Sequence, residues 1–199
     1  RTREFGVRLA IGSTPTHLLV RVLREGAAIG IGGLSSRMGR DKAMLDFRGR
    51  SLLRNQVDLL ASLCSRVIVS GDYADFDCIA DEGGRCGPLG GLYAVSRQIP
   101  GAAMLVVPVD MPQLSQAVLL RLLQNRAACH FEAQPLPAFF PDTSQVVTAI
   151  QRMFAEPELG FSLRRLHHHL ASAPLNSSGF GPVNINTPAD WLNFKHKYT

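Results

Sequence analysis

Short apolar runs alternate with amphipathic stretches along the chain from residue 27 onward. The apolar runs predict strands at residues 27–31, 66–70, 78–80 and 104–107. Apolar positions at helical spacing predict helices at residues 51–64, 90–98, 115–127, 146–154 and 161–170, and a last helix that starts at Thr187-Pro188. This alternation predicts an α/β fold, in which a parallel sheet carries helices on both faces.

Glycine-rich or polar segments follow three of the predicted strands. They comprise residues 32–42, 81–91 and 110–115. Folds of this kind bind ligands beyond the carboxyl ends of their strands, which is where these three segments would meet. The sequence therefore predicts one shared site at that edge of the sheet.

The first of these segments, residues 32–42, has the sequence GGLSSRMGRDK. Its glycines let backbone N–H groups approach phosphates closely, and Ser35 and Ser36 can donate hydroxyl hydrogen bonds. Arg37 and Lys42 can neutralise the charge that spreads over a triphosphate in a transition state. The segment lacks the spacing of a Walker P-loop and of the Gly-x-Gly-x-x-Gly fingerprint, so it predicts phosphate binding of another type.

Other polar positions at the same edge are candidates for the site. Asp110 ends a buried strand, where a carboxylate can hold Mg²⁺ or can simply cap a turn. Asp81 also ends a strand, and the sequence alone favours an ordinary loop acid there. Residues 87–91 predict a sharp turn, whose backbone groups can contact the edge of a base. Asn184 and Asn186 lie two apart on a predicted strand and share one face, and this favours a polar site over core.

The composition narrows the functional classes. The chain has 199 residues, of which 46% are hydrophobic and 19% charged, as in globular proteins. The formal charge is +5, and residues 1–26 carry five arginines against two glutamates. Because most of the basic excess lies in that one terminal segment, we expect no nucleic-acid binding. The apolar runs are too short to cross a bilayer, so we expect no transmembrane segment and a cytoplasmic location.

The cysteines and histidines give little reason to expect a metal site. The four cysteines are widely spaced and include no Cys-x-x-Cys pair, which favours free thiols in a reducing compartment. His167, His168 and His169 are consecutive, so on a helix they point in different directions and do not converge on one ion. We expect these histidines to form a solvated helix face.

Four segments in a fixed order resemble those of a known family. They are GGLSSRMGRDK at 32–42, GPLGG at 87–91 after Asp81, VPVDMP at 107–112 and VNINTP at 183–188. They resemble the signature loop and the guanine-contacting, metal-binding and pterin-side segments of the molybdenum cofactor guanylyltransferases. The resemblance implies a Rossmann-like three-layer sandwich with a mostly parallel central sheet, of the nucleotidyltransferase type.

The resemblance also implies an activity. A protein of this family transfers GMP from GTP to molybdenum-molybdopterin, which releases pyrophosphate and forms the guanine dinucleotide form of the molybdenum cofactor. The phosphate of molybdopterin would attack the α-phosphorus in line, with Mg²⁺ as the cofactor, so no protein nucleophile is needed. GTP and molybdenum-molybdopterin are the implied partners; molybdenum enzymes or their maturation chaperones are left open as further partners.

The family's functional residues carry over to positions of this sequence that match its segments. The catalytic residues are Lys42, Arg37 and Asp110, and Asp110 is also the metal ligand. The residues implied for GTP are Gly30, Ile31, Gly32, Gly33, Lys42, Ser70, Asp81, Gly87, Pro88, Leu89 and Asp110. Asn184, Asn186 and Arg164 are expected on the molybdopterin side, although a solvated surface position explains Arg164 equally well.

Two alternatives remain open at this point. One is a related nucleotidyltransferase that uses CTP or a sugar phosphate. Gly32-Gly33 together with residues 87–91 favours a guanine nucleotide as the substrate and so argues against this alternative. The other is a non-catalytic nucleotide-binding module, and the presence of Lys42 and Asp110 argues against it.

Residues 1–26 carry a separate resemblance. The stretch RTREFGVRLAIGSTP at residues 1–15 resembles a segment of ABC-type permeases that precedes a membrane helix, but no such helix follows here. Thr14-Pro15 and the apolar residues behind it predict a helix. We therefore expect residues 1–26 to be an appended helical segment and residues 27–199 to be the nucleotidyltransferase domain.

Overall fold

A computed structural model describes residues 41–80, 86–179, 181 and 184–198, and the backbone of residues 27–31. The strands within these residues are β1 (Ala27–Ile31), β2 (Asp46–Phe47), β3 (Arg50–Ser51), β4 (Arg66–Ser70), β5 (Cys78–Ile79), β6 (Met104–Pro108), β7 (Cys129–Phe131), β8 (Ala138–Phe140) and β9 (Ala173–Leu175). The α-helices are α1 (Leu52–Ala61), α2 (Pro88–Gln98), α3 (Gln116–Leu123), α4 (Thr143–Phe154), α5 (Leu163–His169) and α6 (Pro188–Tyr198). Short 3₁₀ turns lie at Lys42–Met44 and Pro157–Leu159. The appended segment expected at residues 1–26 lies outside the described residues.

In the described part of the chain, seven strands form one sheet in the order β5-β4-β1-β6-β8-β7-β9. The pairs β1–β4, β1–β6, β4–β5 and β7–β9 are parallel, and β8 runs antiparallel to both of its neighbours. Ile31 is level with Ser70 on one side and with Pro108 on the other. The carboxyl ends of β1, β4 and β6 therefore meet at one edge of the sheet, as the sequence predicts.

Successive residues of β6 are buried on opposite faces of the sheet, as the two-residue period of a strand requires. Met104 and Val106 pack in a cluster with residues of α2, α4 and α5. Leu105 and Val107 pack in a second cluster, which includes residues of α1 and α3. The sheet thus has helices against both faces, and the predicted α/β architecture is confirmed.

A third apolar cluster places the last helix beside the carboxyl edge of the sheet. Ile185 and Phe194, from the α6 region, are buried with Val69, Val109 and Phe47. The rings of Phe47 and Phe194 have centroids 4.9 Å apart. This packing holds the segment that precedes α6 against the ends of β4 and β6.

Helix caps agree with the sequence at two positions and extend the predicted helices at others. Ser115 caps α3 by accepting the N–H of Val118, and Thr187 Oγ1 accepts the N–H of Asp190 at the start of α6. Asp142 caps α4 at Thr143, one turn earlier than the apolar pattern predicts. Among the described residues, no helix is both long and apolar enough to span a membrane.

The prediction that Asn184 and Asn186 lie on a strand is wrong. The residues described around them have no regular secondary structure before α6 begins. A hydrogen bond from the Ile185 N–H to the Asp110 carbonyl, 2.9 Å long, fixes this segment instead. The asparagines are therefore held beside the end of β6 as an irregular segment and not by a strand ladder.

The prediction of a solvated histidine face is wrong for His167, although His168 is exposed. The His167 ring is buried and stacks on His130 at 3.9 Å between centroids. Its Nε2 lies 2.8 Å from the carbonyl oxygen of Pro135. His130 lies in β7 and Pro135 lies after it. Helical periodicity describes only one helix, so it could not predict contacts with this separate segment.

The free energy of unfolding is expected to fall in acid because of His167. Burial is the largest cause that lowers the pKa of this imidazole to about 4, from an ordinary 6.5. The unfolded chain binds a proton that the folded chain excludes, so this contribution is complete above pH 6.5 and is lost towards pH 4. Between pH 8 and pH 5 the loss amounts to about 2 kcal/mol.

Urea unfolding of the unsubstituted protein and of His167→Phe at these two pH values measures the loss. The phenyl ring keeps the stack and removes the titration, so the variant's midpoint should fall less on acidification. An equal fall in both proteins would contradict the assignment to His167.

The cysteines are free thiols, as predicted. Cys64 and Cys129 are buried, and Cys78 and Cys86 are partly exposed. Burial raises the pKa of the two buried thiols to about 12, which keeps them protonated and unreactive near neutral pH.

Candidate functional site

Lys42 is presented to the carboxyl edge of the sheet by a short, capped turn. It begins the 3₁₀ turn Lys42–Met44, and Asp41 precedes it as the cap. Asp41 Oδ1 accepts the N–H of Ala43 at 2.9 Å. Ala43 is fully buried, and only 11% of the Lys42 side chain is exposed. The lysine is thus fixed at its backbone and confined along its stem.

Two residues from distant segments converge on the Lys42 ammonium group. Lys42 Nζ donates a hydrogen bond to Asn186 Oδ1 at 3.0 Å. The same nitrogen lies 3.7 Å from Asp110 Oδ2. The Ile185 N–H donates a hydrogen bond to the Asp110 carbonyl. The segment that contains Asn184 and Asn186 is therefore held against the end of β6, beside the lysine. We call Lys42, Asp110 and Asn186 the lysine cluster.

The Asp110 carboxylate is poorly solvated. Only 22% of its side chain is exposed, and burial raises its pKa above the ordinary value, while Lys42 and nearby hydrogen bonds oppose that rise. The charged form of a poorly solvated carboxylate is stabilised by any cation that comes close to it. Asp110 is therefore suited to hold a positively charged group in addition to Lys42.

The donor set around Asp110 fits a divalent ion that is shared with a substrate. Within the described ranges, no three His, Cys, Asp or Glu side chains gather around a common point. An ion at Asp110 would take one protein carboxylate and complete its coordination with water and phosphate oxygens, as Mg²⁺ commonly does. The chemistry of the cluster thus matches the metal expected at Asp110.

Asn184 adds an unused polar atom to this region. Its Oδ1 is buried and accepts no hydrogen bond from the residues that the structure describes. A buried acceptor without a donor costs free energy, so it is usually satisfied by a ligand or by water. Asn184 therefore offers a buried acceptor two positions before Asn186, which contacts Lys42. The expected role of both asparagines on the molybdopterin side stays a prediction.

The beginning of α2 lies against the end of β4. Ser70 is buried, and a Cβ added to Gly91 would lie 2.0 Å from Ser70 Oγ, so only glycine permits this approach. Gly87, which precedes α2, has φ +55° and is exposed, and Pro88 fills the first helical position. Leu89 is fully buried in the core, so only its backbone groups could contact a nucleotide.

Arg164 lies apart from the lysine cluster. It is exposed on α5, and its charge contributes to the lowered pKa of both His130 and His167. Within the described part of the chain, no hydrogen bond or ion pair joins Arg164 to the cluster. The expected contact with the molybdopterin side stays a prediction.

Several expected site residues cannot be placed. Gly32, Gly33, Arg37 and Asp81 lie outside the described residues. For Gly30 and Ile31 the backbone alone is described, at the end of β1. Their roles stay predictions.

Two residues that support the cluster were not predicted. Tyr73 Oη donates a hydrogen bond to Asp41 Oδ2 at 2.9 Å. Asp190 Oδ2 accepts the N–H groups of Asn186 at 3.0 Å and of Thr187 at 2.8 Å. The Thr-x-x-Asp spacing at 187–190 is a capping signal that could have identified Asp190. No local signal singles out Tyr73.

Comparison with known proteins places the chain in one family. The family model described as MobA-like NTP transferase domain matches residues 27–172. A protein of Xanthomonas euvesicatoria pv. vesicatoria (strain 85-10), named molybdenum cofactor guanylyltransferase, is 40% identical over 174 residues. That match covers 83% of this chain and 92% of the relative.

Solved structures share the fold at low sequence identity. Molybdopterin-guanine dinucleotide biosynthesis protein A from Archaeoglobus fulgidus superposes with a TM-score of 0.68 at 18% identity, covering 86% of this chain and 97% of that one. A Mycobacterium tuberculosis H37Rv protein solved in complex with manganese has a TM-score of 0.53 at 16% identity, covering 86% and 97%. These likenesses confirm a nucleotidyltransferase-type α/β fold.

Proposed function

Because the chain belongs to the family of MobA-like NTP transferase domains, we propose that it is a molybdenum cofactor guanylyltransferase. It transfers GMP from GTP to molybdenum-molybdopterin, releases pyrophosphate and forms the guanine dinucleotide form of the molybdenum cofactor. The observation that carries this proposal is the lysine cluster. Lys42, Asp110 and Asn186 are in contact there, and they come from three distant segments that resemble the phosphate, metal and pterin segments of the family.

The residues of the cluster can perform the chemistry without a protein nucleophile. Lys42 would stabilise the negative charge that develops on the phosphoryl oxygens as the molybdopterin phosphate attacks the α-phosphorus. Asn186 holds the Lys42 ammonium in place and, with Asn184, would orient the incoming phosphate. Positioning and electrostatics account for catalysis of this kind.

The cofactor that we propose is Mg²⁺, held by Asp110. A bound Mg²⁺ would supply Lewis-acid neutralisation of phosphate charge. The relative solved with manganese supports use of a divalent ion in this fold. The poor solvation of the Asp110 carboxylate supports Asp110 as the residue that holds the ion.

The remaining roles complete the proposal. GTP would lie across residues 30–33 and 87–89, beside Ser70 and Asp81, with Arg37 as a second cation on its phosphates. Arg164 would act on the molybdopterin side. The domain would comprise residues 27–199 as a Rossmann-like three-layer sandwich, appended to residues 1–26, in the cytoplasm.

GTP should be used with a kcat/KM about 10–100-fold above that of CTP or ATP. A set of hydrogen bonds to the guanine edge from the turn at residues 87–91 is worth about 1.4–2.8 kcal/mol, which corresponds to this range. Pyrophosphate release, measured for each nucleotide with Mg²⁺ and molybdopterin, tests both the activity and the base preference. Reactions without molybdopterin provide the background.

Each failure identifies a different alternative. Equal rates with all nucleotides would reject guanine specificity and favour a broader nucleotidyltransferase. GTP binding without any release of pyrophosphate would favour the non-catalytic nucleotide-binding module.

A further inference from the structure

Tyr73 lies beside the Lys42 turn without being part of any segment that the proposed function uses. Its hydroxyl donates to Asp41 Oδ2 at 2.9 Å, across 32 positions of sequence. The other oxygen of the same carboxylate caps the turn that carries Lys42, because Asp41 Oδ1 accepts the Ala43 N–H. One carboxylate thus joins the tyrosine to the backbone of the lysine turn.

The segment that carries Tyr73 is itself fixed to the sheet. The Gly71 N–H donates to the Ile79 carbonyl at 3.0 Å, directly after β4. The Tyr73 carbonyl accepts the Phe76 N–H at 3.1 Å and the Cys78 thiol at 3.3 Å. The Tyr73 side chain is therefore attached to a closed turn between β4 and β5.

The ring of Tyr73 also has a site made for it. Gly71 has φ +145°, and a Cβ built there would lie 2.8 Å from Tyr73 Cε2. A side chain at position 71 would push the ring away, so glycine at this position lets the phenol reach Asp41. This geometry distinguishes Tyr73 from an ordinary surface tyrosine.

The phenol acts as a donor at all working pH values. Burial, followed by the hydrogen bond to Asp41, raises the pKa of Tyr73 well above its ordinary value. The protonated hydroxyl can therefore always hold the Asp41 carboxylate. Asp41 in turn keeps the turn closed under Lys42.

We infer that Tyr73 is a positioning residue for Lys42, acting through Asp41 to hold the lysine turn at the carboxyl end of β4. The inference rests on the proposed function, because it takes Lys42 to be the residue that stabilises transition-state charge. A lysine that is free to shift loses more in the transition state than in the ground state, since the charge it faces develops during the reaction. Loss of the Tyr73 hydroxyl should therefore lower kcat and leave KM for GTP nearly unchanged.

The variant Tyr73→Phe removes one oxygen atom and keeps the ring on Gly71. We expect kcat for GMP transfer to fall about tenfold, with KM for GTP within about twofold of the unsubstituted protein. Tyr93→Phe is the matched control: Tyr93 lies on α2, and its hydroxyl accepts a hydrogen bond from Gln151 at 3.3 Å. Its kcat should stay within about twofold, and equal kcat for Tyr73→Phe and Tyr93→Phe would overturn the inference.

A double-mutant cycle tests the route through Asp41. In an Asp41→Ala background the hydroxyl has no carboxylate to hold, so Tyr73→Phe should lower kcat by less than about twofold. A full tenfold loss in that background would show that Tyr73 acts by another route and would overturn the inference.

Amide hydrogen exchange at Ala43 provides a readout that does not depend on activity. Protection of this N–H should fall in Tyr73→Phe and stay unchanged in Tyr93→Phe, because the Asp41 cap loosens only in the first. Unchanged protection in both variants would overturn the inference. Absence of GMP transfer by the unsubstituted protein would instead reject the proposed function, and the exchange measurement would still decide whether Tyr73 restrains the turn.

Discussion

Replacement of Asp110 by asparagine should leave the protein folded and lower GMP transfer by about 10²–10³-fold at saturating GTP. The amide keeps the size of the carboxylate and loses its charge, so a divalent ion would lose its protein ligand and Lys42 its anionic neighbour at 3.7 Å. Metal neutralisation of phosphate charge is worth several kcal/mol, which corresponds to a loss of this size. Pyrophosphate release measured across a range of Mg²⁺ concentrations checks the result.

The control for this substitution is Asp77→Asn. Asp77 forms an ion pair with Arg66 at 2.7 Å, at the opposite end of β4, and both side chains are about half exposed. Loss of an exposed pair has little effect on stability, and no effect on transfer is expected. Unchanged turnover of Asp110→Asn at every Mg²⁺ concentration would remove Asp110 from the site.

Gly91→Ala should lower the free energy of unfolding by about 3 kcal/mol. Alanine usually stabilises a helix by about 1 kcal/mol relative to glycine, so helix propensity alone predicts the opposite sign. The new Cβ, however, would lie 2.0 Å from Ser70 Oγ and 3.0 Å from Ser70 Cβ, and Ser70 is buried in β4. Overpacking of this severity shifts α2 away from the sheet and outweighs the gain in propensity. Urea unfolding at neutral pH measures the difference.

A second substitution at Ser70 separates steric overlap from other causes. In Ser70→Gly/Gly91→Ala both overlapping atoms are gone, so most of the lost stability should return. The residual deficit should be close to zero, because the cost of glycine inside a strand and the helix-propensity gain of alanine at position 91 are both about 1 kcal/mol and oppose each other. A double variant as unstable as Gly91→Ala would contradict the steric explanation.

The first half of the fold could be predicted because its elements are long and regular. β4 and β6 each contain an unbroken apolar run, and the cap of α3 carries the expected Ser115. Parallel pairing then brings the carboxyl ends of these strands to one edge, where the structure places Ile31 level with Ser70 and Pro108. The edge at which the site lies was therefore accessible from the pattern of apolar residues.

The helices of the second half were predicted, but its short strands could not be. β7, β8 and β9 have three residues each, and β9 contains Pro174, so none gives an apolar pattern that local analysis can separate from a loop. His167 is buried by its stack with His130, a contact between elements that were not both predicted. These features arise from tertiary contacts.

The candidate site likewise combines residues that could be predicted from the sequence with contacts that could not. Lys42, Asp110 and Asn186 lie in segments that the sequence singles out, but their mutual contact depends on the packing of Ile185 in the third cluster. Tyr73 belongs to no such segment, and its bond to Asp41 depends on the closed turn after β4. The parts of the site at residues 32–40 and at Asp81 stay predictions.

The hydrogen bond between Lys42 and Asn186 joins positions 144 apart, which determines when the site can exist on a chain that is still being translated. Every strand of the described sheet is complete by Leu175, before Asn186 has been added. Translation thus adds the last strand of the described sheet before the hydrogen-bond partner of Lys42, and a chain terminated between Leu175 and Asn186 would carry every strand of that sheet without this partner.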